Sequence, residues 1–233
     1  MKQVERLFKN NSYFTREAYR SLRTNISFCG SDIKAICITS CEQNEGKSTI
    51  SLELSRSLAE INKKILLVDA DLRKSVLLSK NTNESSLSGL SQYLASHLSL
   101  EEVIYKTQQP NLDIIFSGQY PPNPSELLNG KRFEQLITYA KENYDYVIID
   151  TPPLGLVIDA AIVAEKCDGT VIVIAKDLVK FSRAKAVKDQ IEKSGCKILG
   201  TIINEVSKPK HRKGDGYYNK YGKYSKYDKY SHY

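Results

Sequence analysis

The sequence predicts an α/β protein with a doubly wound, mostly parallel sheet, and three observations lead to that prediction. Six short apolar runs alternate with stretches of helical periodicity, and the runs are almost continuously apolar. Parallel strands have this composition when helices cover both faces of their sheet. The first run leads through a loop into Gly46–Thr49 and then into a helical pattern, which is the context of a phosphate-binding P-loop. Two later runs end in aspartate, at Asp69 and Asp150.

The elements are predicted in chain order. A first helix is expected over about 14–28, with Thr15 as its N-cap. Its buried face is expected to contain Ala18, Tyr19, Leu22 and Ile26. Strands are expected at 34–40, 64–71, 112–118, 144–153, 169–177 and 197–206. Further helices are expected at about 47–62, 88–104, 124–142, 157–166 and 180–194, the third of these with Asn123 at its N-cap and Pro124 at its first position.

Composition indicates a cytosolic globular protein. The hydrophobic fraction of 41% supports a core, and the 233 residues suit one sizeable α/β domain. No run reaches the roughly 18–20 apolar residues of a membrane span, and the first ten residues lack the apolar centre of a signal peptide. The cysteines are scattered without a C-x-x-C pair, so we expect reduced thiols rather than disulfides or zinc ligands. They are Cys29, Cys37, Cys41, Cys167 and Cys196.

The positive charge is concentrated at the C-terminal end. The net charge is +7, and residues 207–233 contain eight Lys or Arg against two Asp, a net of +6. The remaining chain is almost neutral, which disfavours a uniformly basic nucleic-acid-binding domain. We therefore divide the chain into a folded domain at 1–206 and a basic tail at 207–233.

The tail is also rich in tyrosine, which recurs at every third residue from Tyr218 to Tyr233 with lysines between. A period of three fits neither a helix face nor a strand face, so this polar, low-complexity segment is expected to be disordered. One interpretation is a solubilising or anion-binding tail that acts through its lysines. The other is that the tyrosine hydroxyls are substrates.

The predicted P-loop implies a particular chemistry. Successive backbone N–H groups and the N-terminus of the following helix would bind phosphate oxygens. Lys47 would reach the β- and γ-phosphates, and the Ser48 hydroxyl would bind Mg²⁺. The usual pattern has glycine where this chain has Cys41, and many P-loops also have glycine where it has Asn44. Asparagine is the non-glycine residue that best tolerates positive φ, so the loop should keep its shape.

Three aspartates are expected close to this loop. Asp69, Asp71 and Asp150 lie at the ends of predicted strands, and ligands of open α/β sheets bind at the carboxyl ends of strands. Any one of these aspartates alone is better explained as a turn residue at a strand end or as a helix N-cap. Three together predict a site that handles Mg²⁺, whose ligands are oxygen atoms and water.

The segments CEQNEGKST, ILLVDADLRKS and YVIIDTPP resemble the Walker A, Walker A′ and Walker B motifs of bacterial tyrosine kinases. These are P-loop autokinases of capsule and exopolysaccharide synthesis. The likeness runs from about Glu17 to the C-terminus and includes SGQYPPNPSELL, GTIINEV and the tail. It implies a deviant-Walker, partitioning-ATPase-like fold with ATP and Mg²⁺ as cofactors. It also implies an ATP-dependent kinase that phosphorylates its own tail in trans and regulates polysaccharide polymerisation and export.

The resemblance implies roles for individual residues. Lys47, Asp69 and Asp71 would be catalytic, with Asp69 accepting the tyrosine proton or orienting the hydroxyl. Ser48, Asp71 and Asp150 would hold Mg²⁺, the aspartates through its waters. Nucleotide would be bound by Asn44, Glu45, Gly46, Lys47, Ser48, Thr49 and Asn204, the last reading the adenine edge. The phosphoacceptors would be Tyr217, Tyr218, Tyr221, Tyr224, Tyr227, Tyr230 and Tyr233. Arg73 would steady a phosphate or an acidic partner, or remain a solvated side chain.

The resemblance also implies partners. Glu17, Arg20 and Arg23 match the E-x-x-R-x-x-R motif of the family and lie within one side of a helix. In relatives this face joins subunits into a ring, with an octamer as the candidate size, whereas composition alone favours a solvated face. The resemblance is greatest to the stand-alone, cytosolic kinase of Gram-positive bacteria. Such a kinase would be activated by the cytosolic segment of a membrane-embedded polysaccharide co-polymerase, which would also bring it to the inner face of the plasma membrane. A cognate tyrosine phosphatase is implied, and no nucleic acid is expected.

Two other functional classes remain open. A partitioning or positioning ATPase would share the fold, the aspartates and the terminal asparagine, and would bind membrane or DNA through the basic tail. Its P-loop carries a signature lysine near the start, where this chain has Glu42. A non-enzymatic adaptor with a degraded P-loop would explain Cys41 and Asn44, but not the intact Lys47 and three aspartates.

Overall fold

A computed structural model describes residues 2–4, 7–8, 11–77 and 87–206. Over these ranges the strands are β1 Lys2–Gln3, β2 Ala35–Ser40, β3 Ile65–Asp69, β4 Tyr105–Lys106, β5 Leu112–Ile115, β6 Tyr146–Asp150, β7 Gly169–Ala175 and β8 Ile198–Asn204. The helices are α1 Tyr13–Ser27, α2 Lys47–Ala59, α3 Leu90–Leu94, α4 Leu100–Val103, α5 Pro124–Asn129, α6 Lys131–Asn143, α7 Asp159–Glu165 and α8 Phe181–Lys193.

The described strands form one sheet in the order β1-β4-β5-β3-β6-β2-β7-β8. The six strands from β5 to β8 in this order are parallel, while β4 runs antiparallel to β5. The predicted mostly parallel, doubly wound sheet is therefore confirmed. Because β2 lies between β6 and β7, and β6 lies beside β3, the loops that follow these four strands meet at one edge.

The core explains why the strand sequences are apolar throughout. In β2, Ile36 and Ile38 belong to the cluster that packs against α1 and α2. Ala35 and Cys37 belong to the cluster on the opposite face, which includes residues of α3 to α8. Since successive side chains of a strand point to opposite faces, a strand covered on both sides needs apolar residues at every position.

Several predicted boundaries are wrong. The helix expected over 88–104 is two short helices, α3 and α4, and the helix expected over 124–142 is divided into α5 and α6 at Gly130, whose backbone is extended. The two-residue strands β1 and β4 were not predicted, because a period cannot be recognised in so few residues. Asn123 is the N-cap of α5 as predicted, although its side chain makes no capping hydrogen bond.

The first helix differs in detail from its prediction. It begins at Tyr13, and its N-cap is Ser12 rather than Thr15, since the Ser12 hydroxyl accepts a hydrogen bond from the Thr15 N–H. Ala18 is exposed, whereas Ile26 is buried and Leu22 packs against the same core. The helix therefore meets the body through a narrower face than the sequence pattern indicated.

The remaining fold-level predictions concern thiols, membrane spans and the tail. All five cysteines are free thiols, and Cys37, Cys41 and Cys196 are buried. In the described part of the chain, no helix is long and apolar enough to cross a membrane. The predicted tail at 207–233 lies outside the described residues.

Candidate active site

The loop between β2 and α2 has the backbone that the P-loop prediction requires. Gly46, the N-cap of α2, has a φ of 83°. A Cβ atom there would lie 2.1 Å from the Asn204 side-chain nitrogen, so only glycine fits. Asn44 has a φ of 64°, and asparagine therefore supplies the left-handed conformation as expected. Cys41, where the usual pattern has glycine, is buried and is not among the positive-φ residues.

Glu45 anchors this loop to the sheet. Its side chain is 1% exposed, and its two carboxylate oxygens accept hydrogen bonds from the N–H groups of Glu42 (2.6 Å) and Ala175 (3.0 Å). The Asn204 amide nitrogen donates to the Glu45 carbonyl oxygen at 2.8 Å. The Glu45 side chain thus points into the protein, so its predicted contact with nucleotide can involve only its backbone. Asn204 lies directly behind the loop.

Lys47 and Asp150 form a buried ion pair at the base of the loop. Lys47 Nζ lies 2.9 Å from Asp150 Oδ1 and 3.2 Å from Ser48 Oγ. Asp150 Oδ1 also accepts a hydrogen bond from the Ser51 hydroxyl at 3.1 Å. Among the residues that the structure describes, the other carboxylate oxygen, Asp150 Oδ2, is buried without a hydrogen-bond partner. A buried carboxylate oxygen without a partner is costly in a folded protein, so this atom is a candidate contact for a bound cation or its water.

Asp69 is the last residue of β3, beside Asp150, and Asp71 follows in the next turn. Asp69 is opposite Asp150 in the register of β3 and β6, and it is fully buried. Burial and the nearby Asp150 charge raise the pKa of Asp69 well above its usual range. Its oxygens accept hydrogen bonds from the Asp71 N–H and the Ser75 hydroxyl. Asp71 Oδ1 accepts from the N–H groups of Arg73 (3.3 Å) and Lys74 (2.9 Å), which holds this carboxylate in a tight turn.

An open cavity of about 250 Å³ lies above these residues. Its walls come from the P-loop, from the turn after β3 and from the loop after β6. The predicted residues that line it are Asn44, Glu45, Gly46, Lys47, Ser48, Thr49 and Asp71. Asp69 and Asp150 do not line it and are 0% and 1% exposed. The structure thus brings the P-loop and Asp71 together at the cavity, with the other two aspartates buried close by.

The donor set fits Mg²⁺ bound mainly by phosphate and water. Within the described ranges, no three His, Cys, Asp or Glu side chains converge as a metal-binding cluster. The available oxygen donors are the Ser48 hydroxyl, the Asp71 carboxylate and the unpartnered Asp150 Oδ2. Mg²⁺ typically keeps several waters and binds proteins through one or two carboxylates together with substrate phosphates.

Two ion pairs beside the site were not predicted. Arg73 pairs with Asp159, the first residue of α7, so the acidic partner proposed for Arg73 lies within this chain. Arg183 of α8 donates to Glu42 at 2.9 Å, which ties the start of the P-loop to that helix. Each pair joins residues more than 80 positions apart, and no motif or spacing in the sequence signals them.

The residues of the E-x-x-R-x-x-R motif have different environments. Glu17 and Arg20 pair with each other on the surface, where their side chains are 42% and 52% exposed. Arg23 is 19% exposed, and its guanidinium donates to the Ser57 carbonyl oxygen of α2 at 2.8 Å. Arg23 therefore helps to dock α1 onto α2, and only the first two residues present their charges outward.

Comparison with known proteins gives consistent results. The family model described as an AAA domain matches residues 33–195. The tyrosine-protein kinase CpsD of Streptococcus agalactiae is 43% identical over 207 residues, which are 88% of this chain and 90% of that protein. The solved kinase domain of the Escherichia coli tyrosine kinase ETK matches with a TM-score of 0.76 and 34% identity, over 84% of this chain and 79% of that one.

A positioning protein is also similar, but less so. The septum site-determining protein MinD of Pyrococcus horikoshii, solved as a complex with Mg-ADP, matches with a TM-score of 0.61 and 28% identity. That match covers 73% of this chain and 70% of the other. The lower score and shorter coverage disfavour the partitioning or positioning class.

Proposed function

The chain belongs to the bacterial tyrosine-protein kinases, and from this premise we propose that it transfers the γ-phosphoryl group of ATP to tyrosines of its own 207–233 segment. The observation that carries the proposal is the buried Lys47–Asp150 pair beneath a P-loop cavity that Asp71 also lines. This arrangement provides cation, hydroxyl and carboxylate groups where a magnesium nucleotide would bind.

The residues of the loop would bind and orient the nucleotide. Backbone N–H groups at the start of α2 and the Lys47 ammonium would contact the phosphate oxygens. The Ser48 hydroxyl, Asp71 and Asp150 would hold Mg²⁺, the aspartates through its waters. When bound, Mg²⁺ would neutralise negative charge on the β- and γ-phosphates. Phosphoryl transfer depends chiefly on such positioning and charge stabilisation.

Asp69 is the proposed base for the acceptor. The tyrosine oxygen would form a bond to the γ-phosphorus while the bond to the β,γ-bridging oxygen breaks, so that ADP leaves. The hydroxyl proton would pass toward Asp69. A base is more effective when its pKa lies nearer the working pH, and burial raises the pKa of Asp69 in that direction. Asp69 itself is fully buried, and the hydroxyl of the half-buried Ser75 donates a hydrogen bond to it.

The tail has the composition of a multiple acceptor. It carries seven of the fifteen tyrosines and a net charge of +6. Each phosphate adds about −1.5 to −2 charges, so about three or four would neutralise the tail. We propose that the unmodified tail is attracted to the carboxylate- and ATP-rich site of a neighbouring subunit. The phosphorylated tail would be repelled from it, which makes the reaction self-limiting.

The wider role that we propose is control of capsular or exopolysaccharide polymerisation and export. A membrane-embedded co-polymerase would activate the kinase and recruit it to the inner face of the plasma membrane, and a cognate phosphatase would reset the tail. A ring of subunits would form through the exposed Glu17 and Arg20 of α1. Asn204, which adjoins the P-loop through Glu45, is proposed to contact the adenine.

The rival ATPase function is less well supported by the P-loop. In the partitioning class a lysine near the loop start reaches into the partner subunit. The residue here, Glu42, has the opposite charge and pairs with Arg183 of the same chain. An ATP-driven positioning switch would release phosphate without labelling tyrosine, so the two functions are separable in one assay.

The test is phosphotyrosine mapping by mass spectrometry after incubation of the full chain with Mg²⁺ and ATP. We expect most phosphate between Tyr217 and Tyr233, and none in Lys47→Met. A variant with all seven tail tyrosines changed to Phe keeps the tail charge and serves as the matched control; it should lose nearly all labelling. Phosphate mainly on the eight other tyrosines, or free phosphate without phosphotyrosine, would contradict the proposal.

A further inference from the structure

The turn after β3 carries an arginine, Arg73, whose guanidinium is held along the edge formed by Nε and Nη2. Arg73 Nε lies 2.6 Å from Asp159 Oδ2, and Arg73 Nη2 lies 3.1 Å from Asp159 Oδ1. The same Nη2 donates to the Ser125 hydroxyl oxygen at 3.0 Å, and that hydroxyl donates to Asp159 Oδ1 at 2.7 Å. Two parallel N–H···O bonds to one carboxylate fix both the distance and the orientation of the arginine.

This network joins one turn and the starts of two helices at the carboxyl edge of the sheet. Arg73 follows β3, Ser125 is in the first turn of α5 after β5, and Asp159 begins α7 after β6. The Asp159 side chain is completely buried, and its charge is compensated by Arg73. A buried carboxylate is stable only when it is paired and hydrogen-bonded, so Arg73 is held firmly in this position.

The backbone of Arg73 acts on the site as well. Its N–H donates to Asp71 Oδ1, as does the N–H of Lys74. Asp71 lines the cavity, and it is the only one of the three aspartates described above that does so. The side chain of Arg73 therefore anchors the same turn whose backbone orients the Asp71 carboxylate.

We propose that Arg73, held by Asp159 and Ser125, is a positioning residue that sets the Asp71 carboxylate for Mg²⁺–nucleotide binding. The inference rests on the proposed function, because it takes Asp71 as a ligand of the hydrated Mg²⁺. The alternative is that Arg73 contacts a phosphate directly, because Arg73 also lines the cavity. A positioning role requires Asp159 as much as Arg73, whereas a direct phosphate contact does not.

The test measures binding of a fluorescent ADP analogue, mant-ADP, to the full chain, first in EDTA and then during titration with Mg²⁺. We expect Arg73→Met and Asp159→Asn to raise the Mg²⁺ concentration for half-maximal tightening by roughly 10–100-fold, the usual effect of losing a residue behind a metal ligand. Affinity in EDTA should change less than twofold, because the P-loop is intact. The double variant should lose no more than the worse single variant, since both remove the same contact.

Two milder variants keep the test informative if Asp159→Asn fails to fold. Arg73→Lys keeps the charge but cannot form the two parallel bonds, and Ser125→Ala removes one hydroxyl. Both should shift the Mg²⁺ requirement in the same direction by a smaller factor. The matched control is Lys106→Met, which removes the cationic partner of the 4%-exposed Asp113 on β5 and should leave the Mg²⁺ titration unchanged.

The possible results are distinct. Weaker mant-ADP binding in EDTA for Arg73→Met but not for Asp159→Asn would identify Arg73 as a direct phosphate ligand and overturn the proposal. If Arg73→Met and Asp159→Asn fold and need the same Mg²⁺ concentration as the wild type, the proposal is overturned as well. If the wild-type chain binds Mg²⁺ and mant-ADP but forms no phosphotyrosine, the proposed kinase function fails while the role of Arg73 is still decided by binding.

Discussion

Replacing Lys47 with Met should inactivate the protein and also destabilise it, and the two effects can be separated. Lys47 Nζ lies 2.9 Å from Asp150 Oδ1, and the two side chains are 8% and 1% exposed. Without Lys47, the Asp150 carboxylate would keep one hydrogen bond from the described part of the chain, donated by the Ser51 hydroxyl. Lys47→Met therefore leaves a buried charge with little compensation.

The structure gives the size of the effect. At 2.9 Å and an effective dielectric constant of about 20, the attraction between the two charges is about 6 kcal/mol. Part of this attraction only offsets the free energy needed to remove the two charges from water. Removing one partner of a buried pair therefore costs about 3–5 kcal/mol of stability. For a chain of this size each kcal/mol lowers the melting temperature by about 2–4 °C, so we expect a decrease of about 6–20 °C. Neutralising both partners in Lys47→Met/Asp150→Asn should return stability to within about 1 kcal/mol of wild type.

Urea unfolding followed by far-ultraviolet circular dichroism, without nucleotide, measures these differences. Lys188→Met is a suitable control because it breaks a solvent-exposed pair with Glu192, and it should leave the urea midpoint unchanged. Both Lys47 variants should lack tyrosine kinase activity, although only the single variant is destabilised. The reasoning about the buried pair is wrong if Lys47→Met is as stable as the wild type. It is also wrong if adding Asp150→Asn to Lys47→Met does not restore the lost stability.

Three further predictions follow, one from the loop and two from α1. Asn44→Gly should keep both stability and mant-ADP affinity, because glycine readily adopts the φ of 64°. Asn44→Val should lower the free energy of unfolding, measured by thermal denaturation, by about 1–3 kcal/mol, because valine is strained at this φ. A valine variant as stable as the wild type would disprove the need for this conformation. Arg23→Ala should lower the free energy of unfolding by about 1.5–3 kcal/mol through loss of its contact with Ser57. Glu17→Ala/Arg20→Ala should instead leave denaturation unchanged and reduce the oligomer mass in light scattering, and an unchanged mass would exclude this surface as a subunit contact.

Local sequence patterns were sufficient for the architecture and for the position of the phosphate loop. The apolar runs predicted the parallel strands, because a strand buried on both faces has no polar positions to alternate with. The loop was predicted because its chemistry is contained in nine consecutive residues, including an asparagine that can replace glycine at positive φ. The break at Gly130 was missed, although Leu127 and Leu128 before it and Phe133 and Leu136 after it would lie on different sides of one continuous helix.

The contacts that organise the candidate site depend on the tertiary structure. Lys47 meets Asp150, Glu45 meets Ala175, and Arg73 meets Asp159 because β2 lies between β6 and β7 and β6 lies beside β3. Residue spacing along the chain does not specify that strand order, so no local pattern could assign these partners. The sequence by itself determined which residue types reach the carboxyl edge of the sheet. Only the packing of the strands decided which of them are buried together, which line the cavity, and which hold the others in place.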